Sequence, residues 1–490
     1  MPRRVLRYRT STPVPATSTI DTAALLARFE AIRVEQKVPD AFAPDVLAEA
    51  EAAAAHAQLP GRDETAVPFV TIDPVGSMDL DQALHIERAG DGHRVRYAIA
   101  DVPAYVRAGG ALDAETRARI ETVYAPDRRS PLHPPVLSEG AASLLPDQVR
   151  PAFVWDLQLD GSGRTTHTEV YRARVRSVAR LDYDGVQRSV DGGGLGPDDV
   201  LTLLKEVGER RIQLEHERGG ASLPLPEQVV SEGDDGAFTV GFRPPVPAED
   251  WNAQLSLMTG MAAAELMIAG RVGILRTMPS PDEGAFARFR RQARALGVDW
   301  PQGERYGDLL ARLDLTDPAH LALVHAATSL FRGASYTPFD GEVPAEREHA
   351  AVAASYAHVT APIRRLVDRF GLVVCEALSS GTQVPGWARE ALPALPDLMR
   401  TGDTRANAVT RACTDAVEAA VMTTYLGRTL PGDVVDVGKN GRVVVQLHDP
   451  AIVANASTAN AGAAVRLGDR VQVRVEGADI TTGTVTLAVT

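Results

Sequence analysis

Three aspartates, Asp73, Asp79 and Asp81, fall within nine residues of the stretch TIDPVGSMDLDQALHI (residues 71–86), and a neutral Gln82 follows the last of them. The residues around them are apolar and strand-forming, a setting in which isolated carboxylates are costly and a bound cation relieves the cost. Oxygen ligands select a hard dication, and magnesium uses few carboxylates while taking phosphate oxygens as further ligands. The spacing lacks the regular alternation and the late bidentate Glu of an EF-hand loop. Alone, a D-x-D pair describes a solvated acidic turn equally well.

A second stretch answers the first. YAHVTAPIRRLVDR (residues 356–369) sets Arg364 and Arg365 at the opening of a helix, just behind Pro362. Free N–H groups and the helix dipole already favour anions there, and two guanidinium groups add a phosphate clamp. The alternative for the arginines is an ion pair, for example with Asp368.

Elements must bring these segments together, and 490 residues allow two to four domains, since single domains usually hold about 100 to 200 residues. The apolar share of 44% and charged share of 23% are those of a globular chain. A net charge of −13 argues against a generally basic surface that coats nucleic acid, though not against a basic channel. The arginine-rich opening lacks the apolar run of a leader, and Glu265 and Arg271 interrupt the most apolar long segment, so a cytoplasmic protein without a membrane span is expected. Cys375 and Cys413 lie in helical segments with no ligand spacing beside them, which points to buried packing.

Periodicity divides the chain. Helical spacing holds through about residue 65, with Asp21 as an N-cap and Pro44 in a first turn. From Val67 the period becomes two: VPFVTID, QALHIER and HRVRYAIADV read as strands, with AGDGH turning a hairpin between the last two. A helix at GALDAETRARIETVY and an irregular Pro-rich loop lead to a second hairpin turning on Asp160-Gly161-Ser162-Gly163. Beyond Gly192 long helices dominate, one of them spanning residues 250–275. The last sixty or so residues return to short strands, with a Lys439-Asn440-Gly441 turn, at the spacing of a small oligonucleotide-binding barrel or a plain structural cap.

TIDPVGSMDLDQAL, YAIADVPAYV, VYAPDRRSPLHPPVLSEGAASLLP and YAHVTAPIRRLVDR, in that order, resemble successive signature blocks of the RNB-domain exoribonucleases, the ribonuclease II and ribonuclease R family. The resemblance implies an α+β fold. Residues 1–65 would form a helical N-terminal segment, residues 66–427 an RNB catalytic domain with a mixed sheet surrounded by helices, and residues 428–490 an S1/OB-like β-barrel. It implies 3′-to-5′ hydrolysis of single-stranded RNA to nucleoside 5′-monophosphates by two Mg2+ ions, with Mn2+ as a substitute, in a monomeric enzyme.

By the same resemblance Asp73, Asp79 and Asp81 match the first three of the family's four active-site aspartates, and Asp81 is the indispensable one. Gln82 stands in place of the fourth, where its amide carbonyl would be a weaker, uncharged metal ligand. Arg364 would neutralise the phosphate during cleavage, Arg365 would join it on RNA, and Tyr124 would stack on a base near the 3′ end. Arg332, Tyr336 and Arg276 match blocks that approach the RNA, and His358 is left outside the catalytic set. Gln82 also motivates a second reading, a catalytically impaired RNB-fold protein that binds RNA or acts as a scaffold. A third is another metal-dependent phosphohydrolase, acting on DNA.

Overall fold

Asp21 and Pro44 begin helices where their chemistry says they should. The computed structural model describes residues 4–6, 21–221, 223, 227–232, 238–243, 245–438, 442–459, 461–462 and 464–490. After a short strand β1 (Arg4–Leu6) come α1 (Thr22–Glu35) and α2 (Pro44–His56). The Asp21 carboxylate accepts the Ala24 N–H at 2.9 Å, which satisfies a donor the first turn leaves orphaned. Pro44 opens α2, where a missing N–H costs nothing.

The alternating segment builds β2 (Phe69–Ile72), β3 (Gln82–Ala89) and β4 (Gly92–Ala100). Next come α3 (Ala111–Arg119), a two-strand ribbon of β5 (Val123–Tyr124) and β6 (Arg129–Ser130), and a π-helical turn at Leu137–Ala141. β6 and the turn lie in and at the end of the Pro-rich stretch expected to be irregular, whereas β5 takes the last two residues of the segment expected to be helical, whose helix stops at Arg119. The second hairpin follows as β7 (Val149–Leu159) and β8 (Thr165–Leu181).

These five longer strands form the mixed sheet that the resemblance implied, four pairs antiparallel and one parallel, closed into a barrel in the order β2-β3-β4-β7-β8. The length of β8 explains the closure. Its residues from Thr165 to Arg176 pair with β7, and its end, Ser177 to Leu181, pairs in parallel with β2. One set of barrel side chains, including Leu84, Tyr97, Ile99, Phe153 and Trp155, is large and packs in the main core. The alternate set mixes Ala83, Ala98, Ala100, Ala152 and Ala173 with Phe69, Val154 and Tyr171 and clusters with Val46 of α2 and Leu112 of α3.

The following region contains α4 (Tyr183–Asp191), α5 (Val200–Arg218), β9 (Glu227–Glu232), β10 (Phe238–Arg243) and α6 (Pro247–Gly270). β9 pairs in parallel with β1 and antiparallel with β10, so the N-terminal segment contributes a strand as well as helices. The helix expected over residues 250–275 stops at Gly270. Arg271 takes a left-handed φ of 57°, and the apolar residues after it form β11 (Val272–Thr277). Gly260 lets α6 approach closely, because a Cβ there would lie 2.1 Å from the Tyr356 ring.

Then come α7 (Glu283–Ala295), α8 (Tyr306–Ala311), α9 (Pro318–Ala327) and β12 (Ser335–Asp340), the antiparallel partner of β11. β13 (Glu348–His349) and β14 (Ala354–Ser355) lead to α10 (Leu366–Ser379), α11 (Gly386–Ala391) and the long α12 (Leu395–Thr423). Cys375 and Cys413 are buried free thiols on α10 and α12.

The chain ends in a second closed barrel of β15 (Thr429–Val437), β16 (Arg442–Leu447), β17 (Val453–Ser457), β18 (Arg470–Asp479) and β19 (Thr484–Val489). Its order, β15-β16-β17-β19-β18, is that of an OB-like barrel. The Lys439-Asn440-Gly441 turn lies outside the described residues. Among the described residues no helix is long and apolar enough to cross a membrane.

Candidate functional site

The connection between β2 and β3 carries all three aspartates and is fastened at both ends. Asp73 donates its N–H to the Leu181 carbonyl, continuing the β2–β8 pairing, and the Asp81 carbonyl accepts the Ala100 N–H. Between them Leu80 is fully buried and Ser143 holds the loop, accepting the Leu80 N–H at 3.0 Å and donating to the Met78 carbonyl at 2.6 Å.

Asp81, 4% exposed, joins this loop to the arginine segment. Its Oδ1 accepts the Ile363 N–H at 2.7 Å, and its Oδ2 lies 3.5 Å from Arg364 Nε. Burial pushes the Asp81 carboxyl well up, against the pull of Arg364 and the Ile363 N–H. Burial likewise raises Asp73 to about 6, with Arg364 opposing and Asp79 adding to the rise. Desolvation thus outweighs the positive charge that the protein itself sets beside these carboxylates. The Arg364 side chain stays 52% exposed, so it remains available to an incoming anion.

Asp79 is differently placed. Its Oδ2 accepts the Tyr124 hydroxyl at 3.2 Å, its Oδ1 accepts Arg129 at 2.5 Å, and Arg129 also reaches Glu139 at 2.7 Å. Tyr124 and Arg129 are cross-strand partners of the β5–β6 ribbon.

Gln82 does not stand as the free ligand expected of it. Its amide nitrogen donates to the Thr360 carbonyl at 2.6 Å, and its oxygen accepts the Tyr97 hydroxyl. Both ends of the amide are engaged, so Gln82 braces β3 against the segment that leads to Arg364.

The two arginines separate. α10 begins only at Leu366, with Arg365 as its N-cap residue, so neither guanidinium lies within the first helical turn as expected. Arg365 pairs with the fully buried Asp368, which also accepts the Ala361 N–H at 2.8 Å. Arg365 thus takes the ion-pair alternative and stiffens the turn, while Arg364 faces the aspartates.

The remaining candidates lie beside the centre or apart from it. Arg276 on β11 sits 4.4 Å over the ring of Tyr336 on β12 and 3.6 Å from Asp403. Tyr336 is 6% exposed and shares a hydrogen bond of 2.7 Å with His358 Nδ1, so its ring is core and presents no stacking face. Burial holds His358 well below the usual histidine range. Arg332 is exposed in the loop before β12 and, among the described residues, makes no hydrogen bond or ion pair with this centre.

Three contributors escaped the sequence reading: Tyr97, Arg129 and Tyr183. Burial raises the Tyr183 phenol to about 12, with Asp73 adding to the rise. An Arg129 two residues past a Pro-Asp turn was the available signal; Tyr97, in a strand that also carries His93, Arg94 and Arg96, gave none.

Among the described residues no group of three or more His, Cys, Asp and Glu side chains is gathered as a metal cluster. The donor chemistry of Asp81, buried, and Asp73, half-buried, both desolvated carboxylates, fits a hard dication. Asp79, as held by Arg129 and Tyr124, does not.

An RNB-domain family model matches residues 62–377, and one for the RNase II-type exonuclease C-terminal S1 domain matches residues 428–490. The chain is 28% identical over 459 residues to ribonuclease R of Escherichia coli, covering 84% of this chain and 55% of that protein. It is 27% identical over 374 residues to exoribonuclease 2 of Klebsiella pneumoniae, covering 72% and 54% respectively. It thus spans about half the length of these curated relatives. The structure of Mycoplasma genitalium RNase R in complex with ribose methylated single-stranded RNA matches with a TM-score of 0.85 at 18% identity, over 95% of this chain and 78% of that one, a likeness of fold.

Proposed function

The chain belongs to the RNB-domain family, and on that premise we propose that it is a 3′-to-5′ exoribonuclease, hydrolysing single-stranded RNA to nucleoside 5′-monophosphates with a divalent cation. The observation that carries the reading is the bond from Ile363 N–H to Asp81, which sets a half-exposed Arg364 against the buried Asp81 and the half-buried Asp73, both raised by desolvation. The curated relatives are named ribonucleases, and the likeness in fold to a protein solved with single-stranded RNA supports the same substrate.

Asp73 and Asp81 would hold Mg2+, or Mn2+ in its place. A bound dication polarises a phosphoryl oxygen and lowers the pKa of the attacking water. Arg364 neutralises charge gathering on the scissile phosphate, a contribution worth about 2.7 to 4 kcal/mol when one such donor is lost. Tyr124, anchored through its hydroxyl to Asp79, offers its ring to the terminal base, and stacking is worth about 1 to 3 kcal/mol without sequence preference. Arg365 and Arg276 support the turn and its neighbouring strand, and Arg332 meets RNA farther from the centre. In this reading residues 66–427 act as the catalytic unit, residues 428–490 as the S1-like module, and the enzyme works as a monomer. The family's two-ion arrangement would require Asp79 to exchange Arg129 for a metal.

Matched 3′-tailed RNA and DNA oligonucleotides incubated with Mg2+ or Mn2+ test the proposal. RNA shortened from its 3′ end with release of 5′-monophosphates, abolished in Asp81→Asn, is the expected result. RNA bound without release of mononucleotides would overturn it. That outcome would favour the second reading, an impaired RNA-binding or scaffold protein, for which the engagement of Gln82 by Tyr97 and Thr360 is the supporting observation.

A further inference from the structure

Both oxygens of Asp79 are covered by donors from one small element. The register of the β5–β6 ribbon sets Tyr124 opposite Arg129, and the two side chains descend together, the phenol onto Oδ2 and the guanidinium onto Oδ1. Arg129 is held from its other side by Glu139 on the π-helical turn at Leu137–Ala141. The Arg129 side chain is 26% exposed and that of Asp79 11%, so the bond is a charge-assisted one in a partly desolvated place, where such bonds are strong. A metal ion seated on Asp79 would have to displace a cation already there, or crowd against it.

Charge decides between these outcomes. The three aspartates and Glu139 set against Arg129, Arg364 and Arg180, which acts on Asp73 from its bond to the Ser77 carbonyl, leave a single net negative charge, and Gln82, with both ends of its amide engaged, adds none. One dication together with a scissile phosphodiester brings that group to neutrality. A second dication would leave it with two uncompensated positive charges, and repulsion in a half-buried site is expensive.

We propose that Arg129 supplies, at the Asp79 end of the site, the positive charge that a second metal ion would otherwise supply, so that the protein operates with one divalent cation carried by Asp73 and Asp81. The inference rests on the exoribonuclease reading and deepens it. Arg129 is here a positioning residue that fixes how many ions the centre takes; it neither touches the reacting atoms nor transfers a proton.

Counting Mn2+ on the full chain, by calorimetric titration and by the loss of the free-ion paramagnetic signal, tests it in the presence of a non-cleavable single-stranded oligonucleotide. The unaltered protein is expected to bind one ion, as are Arg129→Lys, which keeps the charge, and Asp79→Asn. Asp73→Asn and Asp81→Asn should lose that ion, and Arg129→Val, which releases Asp79, should gain a second. Two ions on the unaltered protein, one of them lost in Asp79→Asn, would overturn the inference, as would a single ion in Arg129→Val. The two readings fail separately. Mononucleotides released by a protein that binds two ions would sink the inference alone, and one bound ion without any release would sink the exoribonuclease reading alone.

Discussion

Two closed barrels of five strands occur in this chain, and each buries an aspartate, but on opposite terms. In the C-terminal barrel Asp433 on β15 is 1% exposed and fully answered: His448 Nε2 donates to it at 2.7 Å and Arg470 Nε lies 3.1 Å away. In the β2–β3 connection of the first barrel Asp81 is buried and Asp73 half-buried, and desolvation pushes both carboxyls upward against the pull of Arg364. A carboxylate that its own chain satisfies ties strands together. One left short of countercharge costs folding free energy, and a site is where such a cost is kept because a ligand offsets it.

The largest expected effects come from exchanging the two terms. Asp81→Asn should abolish nucleotide release while leaving the thermal midpoint unchanged or higher, since it removes a poorly compensated buried charge. Asp433→Asn should keep turnover and cost about 1 to 3 kcal/mol of stability, as expected when a buried acceptor loses its charge-assisted bonds. Activity assays paired with urea unfolding of both variants check this, and loss of activity in both alike would break the contrast.

The same contrast recurs between adjacent arginines. Arg364→Ala should lower kcat by about 10²- to 10³-fold with little effect on folding. Arg365→Ala leaves the buried Asp368 unpaired and should cost about 3 to 5 kcal/mol of stability. Single-turnover kinetics and denaturant midpoints separate the two.

A smaller effect is expected at Gln82. If the residue were a weak metal ligand, Gln82→Asp would tighten Mg2+; because its amide donates to Thr360, the carboxylate should instead face a carbonyl and cost about 1 to 3 kcal/mol. Magnesium titrations and melting curves of the variant read this out, and tighter Mg2+ with unchanged stability would restore the ligand role.

A last effect, absent at neutral pH and growing only with acid, concerns the seam between the barrels' surroundings. His325 on α9 donates to Gln446 of the C-terminal barrel at 2.7 Å, and burial lowers its pKa from 6.5 to about 4. Between those values the unfolded chain binds a proton that the native one refuses, so this contribution is intact above pH 6.5 and is lost as pH falls toward 4, by at most about 1.4 kcal/mol per pH unit. The difference in urea midpoint between the unaltered protein and His325→Gln, followed from pH 7 to 4, should narrow with acidification.

Local signals were legible and long-range ones were not. The hairpin turns and the caps at Asp21 and Pro44 depend on near neighbours, and the structure has them where the residues say. The parallel pairing of Phe69 with Ser177 that closes the first barrel leaves no local mark. The apolar run through Gly270 conceals a change from helix to strand, because burial asks for apolar residues in either conformation. At the site, residue type and spacing revealed Asp73, Asp81 and Arg364. The engagement of Gln82 could not be read, since one partner lies 278 residues away. The resemblance assigns Tyr336 to RNA by its block alone, and no neighbour in the sequence marks that its ring faces the core.

The way β8 is shared has a consequence for cooperativity. Its early residues zip to β7, its last residues clasp β2, and Leu181 at its tip accepts the N–H of Asp73. The seam of the first barrel and the anchor of the acidic loop are therefore one fastening. The seam cannot part from Leu181 inward without freeing Asp73 first, so amide exchange at Asp73 would report the first step of that opening, and an opening from that end could not leave a competent centre behind.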